Sequence, residues 1–386
     1  MRVFGGWTRV LAAITMSAGA LLSVPGAPAQ AATAGTPIAA AAQPPGWRGM
    51  ANGYSVDYWT TRSNGEPVRA SGALIVPEGV PPAGGWPIMA YDHGTSGLGP
   101  GCGGQSAGSR FSRPKEDAVL QYFVNKGFAV VAPDFLGLGR FDTGPHPYLE
   151  LRTEATATID LVRAAREIRS DLSRSWAVTG FSQGGHAALG TAHLQSALLP
   201  DLDFRGTIAV DPASDIEKVA PFVGPYVPAA PGQLGTAVNG FVVSMFAGLR
   251  DTRPELDLNS YLSPRGRQVL DDASGLCFDG IMKVVDGISV GEMLARPLAD
   301  ERFRAAVTDY MAVPTSGYDA PILLLLNATD KVVPSPLHAA LAAQFTANGV
   351  DYSTVVGMGE HTELNPQMWA AIEGFVARVL STPTLP

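Results

Sequence analysis

Three stretches of the chain carry the pentad Gly-x-Ser-x-Gly, which can raise a serine hydroxyl on a sharp turn as a nucleophile. They are GQSAG at 104–108, GFSQG at 180–184 and GISVG at 287–291. In a chain with 44 glycines the pentad alone is cheap, so context decides. Such a turn needs a buried strand before the serine and a helix directly after it, with small residues that let backbones approach under strain. Ser106 lies in GLGPGCGGQSAGS, a glycine-rich loop with no strand leading into it. Ser289 follows IMKVV, but Lys283 interrupts that apolar run and Asp286 sits beside the turn. Ser182 meets every condition, with WAVTG before it and QGGHAALGTAHL after it. Ser182 is therefore the candidate nucleophile, and the other two read as ordinary loop serines.

A serine hydroxyl needs a base to take its proton, normally a histidine oriented by a carboxylate. Around a strand–serine–helix elbow the chain order is serine, then acid, then histidine. Four histidines follow Ser182. His186 and His193 fall in the helix after the nucleophile, where they pack or face solvent, and His338 reads as a first-turn helix residue. His361, in GMGEHTELNP, sits in a loop directly after a strand and is the candidate base. For the acid, LLLLNATDKVVP puts Asp330 just past a strand end, with Asp211 after GTIAV as the alternative one strand earlier. Asp134 precedes the serine and reads as a loop-structuring residue. A tetrahedral intermediate also needs N–H donors aimed at its oxyanion. The candidates are the backbone N–H of Gln183 and that of Thr95, in the HGTSG loop after MAYD.

These groups have to be carried by a sheet. Strand-like runs at 54–61 and 68–76 flank Ser63-Asn64-Gly65, a hairpin signal. From Trp86 onward, apolar runs alternate with amphipathic helical stretches, which argues for a parallel sheet covered on both faces. The expected fold is α/β: an α/β-hydrolase sheet, mostly parallel, with helices on both faces and an inserted, mainly helical cap. The segment 212–318, rich in proline and without a β/α repeat, is the cap. Residues 51–211 form the first part of the core and 319–386 the second.

The first 31 residues place Arg2 and Arg9 before an apolar run and end in small residues, the pattern of a cleaved secretory signal peptide. Residues 32–50, with an opening rich in alanine, proline and threonine, read as a mobile arm. Export implies an oxidising compartment, so Cys102 and Cys277 are expected to form a disulfide. Losing Arg2 and Arg9 takes the formal charge from −8 to −10. That acidic balance, without any Lys/Arg cluster, argues against nucleic acid as a partner. The expected location is extracellular, with no stable membrane insertion. No metal-binding spacing or phosphate loop appears, so no metal and no cofactor is expected.

Together, YDHGTSG followed closely by Cys102, APDFLGLG followed by PHPYLE, GFSQGG, LLLLNATDKVVP and GEHTELNP resemble the secretory lipase family of actinobacteria and yeasts. The resemblance spans roughly residues 86–366. It implies an esterase or lipase with Ser182, Asp330 and His361 as triad, a helical cap over an acyl pocket, and a small-molecule or lipid ester as substrate. An acyltransferase or peptidase of the same fold is the runner-up, and a non-catalytic binding protein the alternative from another class.

Overall fold

The computed structural model describes residues 32–106 and 114–381; the signal-peptide reading lies outside them. Three antiparallel strands open the described chain: β1 (Pro37–Ala42), β2 (Asn52–Thr61) and β3 (Pro67–Val76). The β2–β3 turn takes its shape from Gly65, at φ 83°, and from Asn64, whose side chain accepts the Glu66 N–H at 3.0 Å. Next come β4 (Trp86–Asp92), α1 (Pro114–Asn125), β5 (Ala129–Pro133), α2 (Leu151–Ile168), β6 (Leu172–Phe181), α3 (Gln183–Leu198) and β7 (Asp203–Val210). Six helices follow: α4 (Ile216–Val219), α5 (Gly232–Thr252), α6 (Pro264–Ala273), α7 (Phe278–Val284), α8 (Val290–Met293) and α9 (Glu301–Met311). The chain then returns to the sheet with β8 (Ile322–Asn327), α10 (Ser335–Ala347), β9 (Tyr352–Gly357) and α11 (Pro366–Ser381).

The nine strands form one sheet in the order β1-β2-β3-β5-β4-β6-β7-β8-β9, parallel from β5 to β9. Alternation along each strand builds two apolar layers. On one face Met89, Val130, Ile208, Leu323 and Leu325 pack with Leu120 and Phe123 of α1 and with Ile372 and Phe375 of α11. On the other, Ile88, Val131 and Val178 meet Ile159 and Val162 of α2, while Leu324 and Leu326 meet Leu341 and Phe345 of α10. Because both faces are covered, ILLLLN reads as an unbroken apolar run, and all six of its residues are buried. The α/β architecture expected from the sequence is the one observed. Strand order reverses around β4: the chain steps outward to β5, then crosses back to β6. Ligands of open α/β sheets bind at such a reversal, beyond the strands' carboxyl ends. Both the loop after β4 and the turn after β6 lie there.

The reading of residues 32–50 as a mobile arm is corrected. Strand β1 pairs with β2 from Pro37↔Tyr58 to Ala42↔Tyr54, and Trp47 and Met50 are buried against the sheet. Residues 38–42 are exposed, so backbone pairing rather than side-chain burial holds this strand.

The helices between β7 and β8 have a core of their own, including Val243, Phe246, Leu270, Phe303, Val307 and Tyr310. Cys102 and Cys277 are joined, with Cα atoms 5.2 Å apart, and the bond links the loop after β4 to the start of α7. Beside it, Leu98 N–H donates to the Leu276 carbonyl and Phe278 N–H to the Ser96 carbonyl, each at 2.9 Å. Closing 175 positions removes chain entropy worth roughly 5 kcal/mol from the unfolded state. The double substitution Cys102→Ser/Cys277→Ser is expected to lower Tm by about 7 °C in a thermal melt. An unchanged Tm would show that the backbone pairing alone secures this junction.

Candidate active site

Ser182 stands between β6 and α3 at φ 57° and ψ −119°, a conformation an L-residue adopts only when its surroundings impose it. Its N–H donates to the Val210 carbonyl at 2.9 Å, and its carbonyl accepts from His186 N–H at 3.1 Å. The turn is tight because its glycines touch other backbone. A Cβ on Gly180 would collide with the Gly184 carbonyl, and one on Gly184 with the Asp92 carbonyl. Gln183, the first residue of α3, has an N–H that lacks an acceptor within the helix.

The other two pentads are occupied with structure. Ser106 donates its hydroxyl to Ser71 Oγ at 3.1 Å, and its N–H is held by Asp134. Ser289 caps α8 in a reciprocal box with Glu292. Asp134 organises its loop as expected, accepting from Gln105 N–H at 2.6 Å and Ser71 Oγ at 2.8 Å.

His361 follows β9, and its Nδ1 lies 2.6 Å from Asp330 Oδ2. Its Nε2 is buried with no hydrogen-bond partner. Asp330 Oδ1 accepts from the N–H groups of Val332 and Val333 at 2.8 and 3.1 Å, so the carboxylate is fixed by its own loop. Burial alone would raise its pKa. The hydrogen bonds from His338 and His361, with the charge of His361, outweigh burial and hold the carboxyl well below the usual range.

Asp211, the alternative acid, does not bond His361. It accepts from Asn327 N–H, Asn327 Nδ2 and Thr362 N–H, each at 2.7 Å, and so ties the ends of β7 and β8 to the loop carrying His361. His338 was legible only as a first-turn helix residue, yet it reaches Asp330 Oδ2 with Nε2 at 3.1 Å and is buried. Its position eight residues after Asp330, at the start of the helix following β8, was the available signal. Asp211, Asp330 and His338 present donor atoms within 4.8 Å of one another, a spacing that suits a metal ion. The N–H donors already named occupy those carboxylates, and hydrogen bonding accounts for the cluster.

Ser182, His361 and Thr95 line one open cavity of about 890 Å³. Thr95 Oγ1 lies 2.9 Å from Tyr148 OH. Phe241 and Phe278 of the helical insertion form part of the wall, with ring centroids 5.0 Å apart. The stretch 240–249 of α5 is divided: Phe241 lines the cavity, whereas Val243, Phe246 and Leu249 are core.

A mostly parallel sheet flanked by helices, with a strained serine after a central strand, defines an α/β-hydrolase. Within that class the chain belongs to the secretory lipase family, whose model matches residues 107–385. Family and fold together support hydrolysis of ester bonds. The fold is similar to that of Candida antarctica lipase A: TM-score 0.73, 18% identity, covering 92% of this chain and 84% of that one. It is also similar to the rice cell wall degrading esterase LipA from Xanthomonas oryzae, with TM-score 0.68 and 21% identity over 90% of this chain and 97% of that one. A Mycobacterium tuberculosis protein named a probable inactive lipase is 24% identical over 329 residues, 80% of this chain and 69% of its own length. No helix of the described residues is long and apolar enough to cross a membrane.

Proposed function

We propose that this protein is an exported serine hydrolase that cleaves carboxylic esters of apolar acyl groups through an acyl-serine intermediate. One observation carries the reading: a single cavity is lined by the strained Ser182 and by His361, whose Nδ1 is bonded to Asp330. In this mechanism Ser182 Oγ attacks the acyl carbonyl while His361 Nε2 takes its proton. Asp330 fixes the imidazole tautomer and stabilises the imidazolium. The N–H groups of Gln183 and Thr95 bind the oxyanion, helped by the positive end of α3. His361 returns the proton to the leaving alcohol, and water then releases the acid by the same steps. The aromatic wall of Phe241 and Phe278 favours an apolar acyl chain, and the insertion that carries it acts as a cap. The disulfide fits an extracellular location.

The name of the M. tuberculosis relative favours a second reading, a non-catalytic protein of the same fold. Against it, this chain keeps a serine, an acid and a histidine in the required order, with the acid–histidine bond formed. Assaying para-nitrophenyl esters of increasing chain length beside peptide anilides separates the alternatives. Ester turnover without anilide turnover is expected. Anilide cleavage at a comparable rate would move the assignment to a peptidase, and no turnover of either would favour the non-catalytic reading.

A further inference from the structure

Beneath the elbow lies a polar network that the ester mechanism does not use. Glu154 of α2 is fully buried. Its Oε1 accepts from Gln183 Nε2 at 2.7 Å and from Leu149 N–H at 3.0 Å, and its Oε2 lies 2.8 Å from His186 Nδ1. His186 Nε2 is 2.9 Å from the Met311 carbonyl. A carbonyl only accepts, so that nitrogen carries hydrogen, and a second proton lies between Nδ1 and Glu154 Oε2, where the charge of Glu154 favours the imidazolium form of His186. Burial is the largest influence on His186 and acts downward, but the hydrogen bond and charge of Glu154 bring the net shift above the ordinary value.

The second hydrogen of Gln183 Nε2 points to His146 Nε2, 2.7 Å away. His146 donates Nδ1–H to the Leu136 carbonyl at 2.8 Å, which leaves Nε2 free to accept. This requires a neutral imidazole, and burial pushes its pKa down to about 4. Both hydrogens of the Gln183 amide are therefore engaged by fully buried partners.

A buried carboxylate–imidazolium pair is poor value as stabilisation, because desolvation offsets most of its attraction. Its placement indicates another role. Gln183 is the residue whose backbone N–H stands beside Ser182, and a small misplacement of such a donor can cost about 100-fold in rate. We propose that Glu154 and His146 are positioning residues: by gripping the Gln183 side chain they fix its backbone N–H toward the oxyanion. His186 neutralises Glu154, so the buried carboxylate does not oppose the developing negative charge. The network also reaches the insertion through Met311, the last residue of α9, and so ties the elbow helix to the cap. This inference rests on the ester-hydrolase reading.

The test uses the full chain as Glu154→Ala, Glu154→Gln and Gln183→Met, with para-nitrophenyl butyrate turnover and affinity for an alkyl boronic acid, which mimics the tetrahedral intermediate. Glu154→Ala and Gln183→Met are expected to lose about 10- to 100-fold in kcat, with KM within about twofold and a parallel loss of boronate affinity. Glu154→Gln can keep every contact once His186 becomes neutral, and is expected to recover activity to within about threefold of wild type. Should Glu154→Ala fail to fold, Gln183→Met decides, since it keeps the side chain's length and removes only the grip. Nitrogen-15 shifts should show both His186 ring nitrogens protonated in the wild type and one in Glu154→Gln; a neutral His186 in the wild type contradicts the charge assignment. Wild-type turnover with full kcat in both disruptive variants overturns this inference alone. Absence of wild-type turnover and boronate binding removes the ester-hydrolase reading and this inference with it.

Discussion

Ser182→Ala is expected to lower kcat for a para-nitrophenyl ester by about 10⁵-fold or more, the scale seen when a triad nucleophile is removed. His361→Ala should do the same, and the double variant should be little worse, because serine and base act as one unit. Tm should change little, since the turn is held by the Val210 and His186 backbone bonds and by glycine contacts, none of which involves the hydroxyl. Steady-state kinetics beside a thermal melt checks both. A Ser182→Ala enzyme with more than a few per cent of wild-type activity would place the nucleophile elsewhere.

Asp330→Asn is expected to cost about 10⁴-fold in kcat, because an amide in place of the carboxylate favours the wrong imidazole tautomer. The same change has a signature in stability. Asp330 has a depressed folded-state pKa, so its contribution is present above its unfolded pKa of about 4 and is lost as pH falls toward the folded value. Melts of wild type and Asp330→Asn should therefore differ most near neutrality and converge from about pH 4 downward. A gap constant with pH would mean that the carboxylate's ionisation is not what the loop depends on. His338 shares Oδ2 with His361, so part of the stability gap belongs to that second imidazole.

The sequence made the elbow legible because the requirements of a nucleophile turn are local: a buried run, small residues and a helix start, all within about fifteen positions of Ser182. Chain order and a loop directly after a strand pointed to His361, Asp330 was read as the acid with Asp211 as the alternative, and the unbroken apolar ILLLLN announced a strand covered on both faces. Strand β1 was hidden for the opposite reason. Its alanines bury nothing, and it exists through backbone pairing to β2, which leaves no periodicity to read. The grip on Gln183 was equally hidden, because Glu154, His146 and His186 meet only after α2, the loop before it and α3 pack together. A glutamate in an amphipathic helix normally reads as solvent-facing; here the helix is buried on nearly every side. His338 shows the same limit, for its partner is set by where α10 starts relative to the end of β8.

The most direct test of the central claim is to react the folded protein with a fluorophosphonate, which is attacked only by an activated serine, and to map the adduct by mass spectrometry. The expected result is one adduct per chain, on Ser182, with ester turnover lost in proportion to labelling and no adduct on Ser182→Ala or His361→Ala. An adduct on Ser106 or Ser289, or no adduct on a protein whose melt shows it folded, would contradict the account.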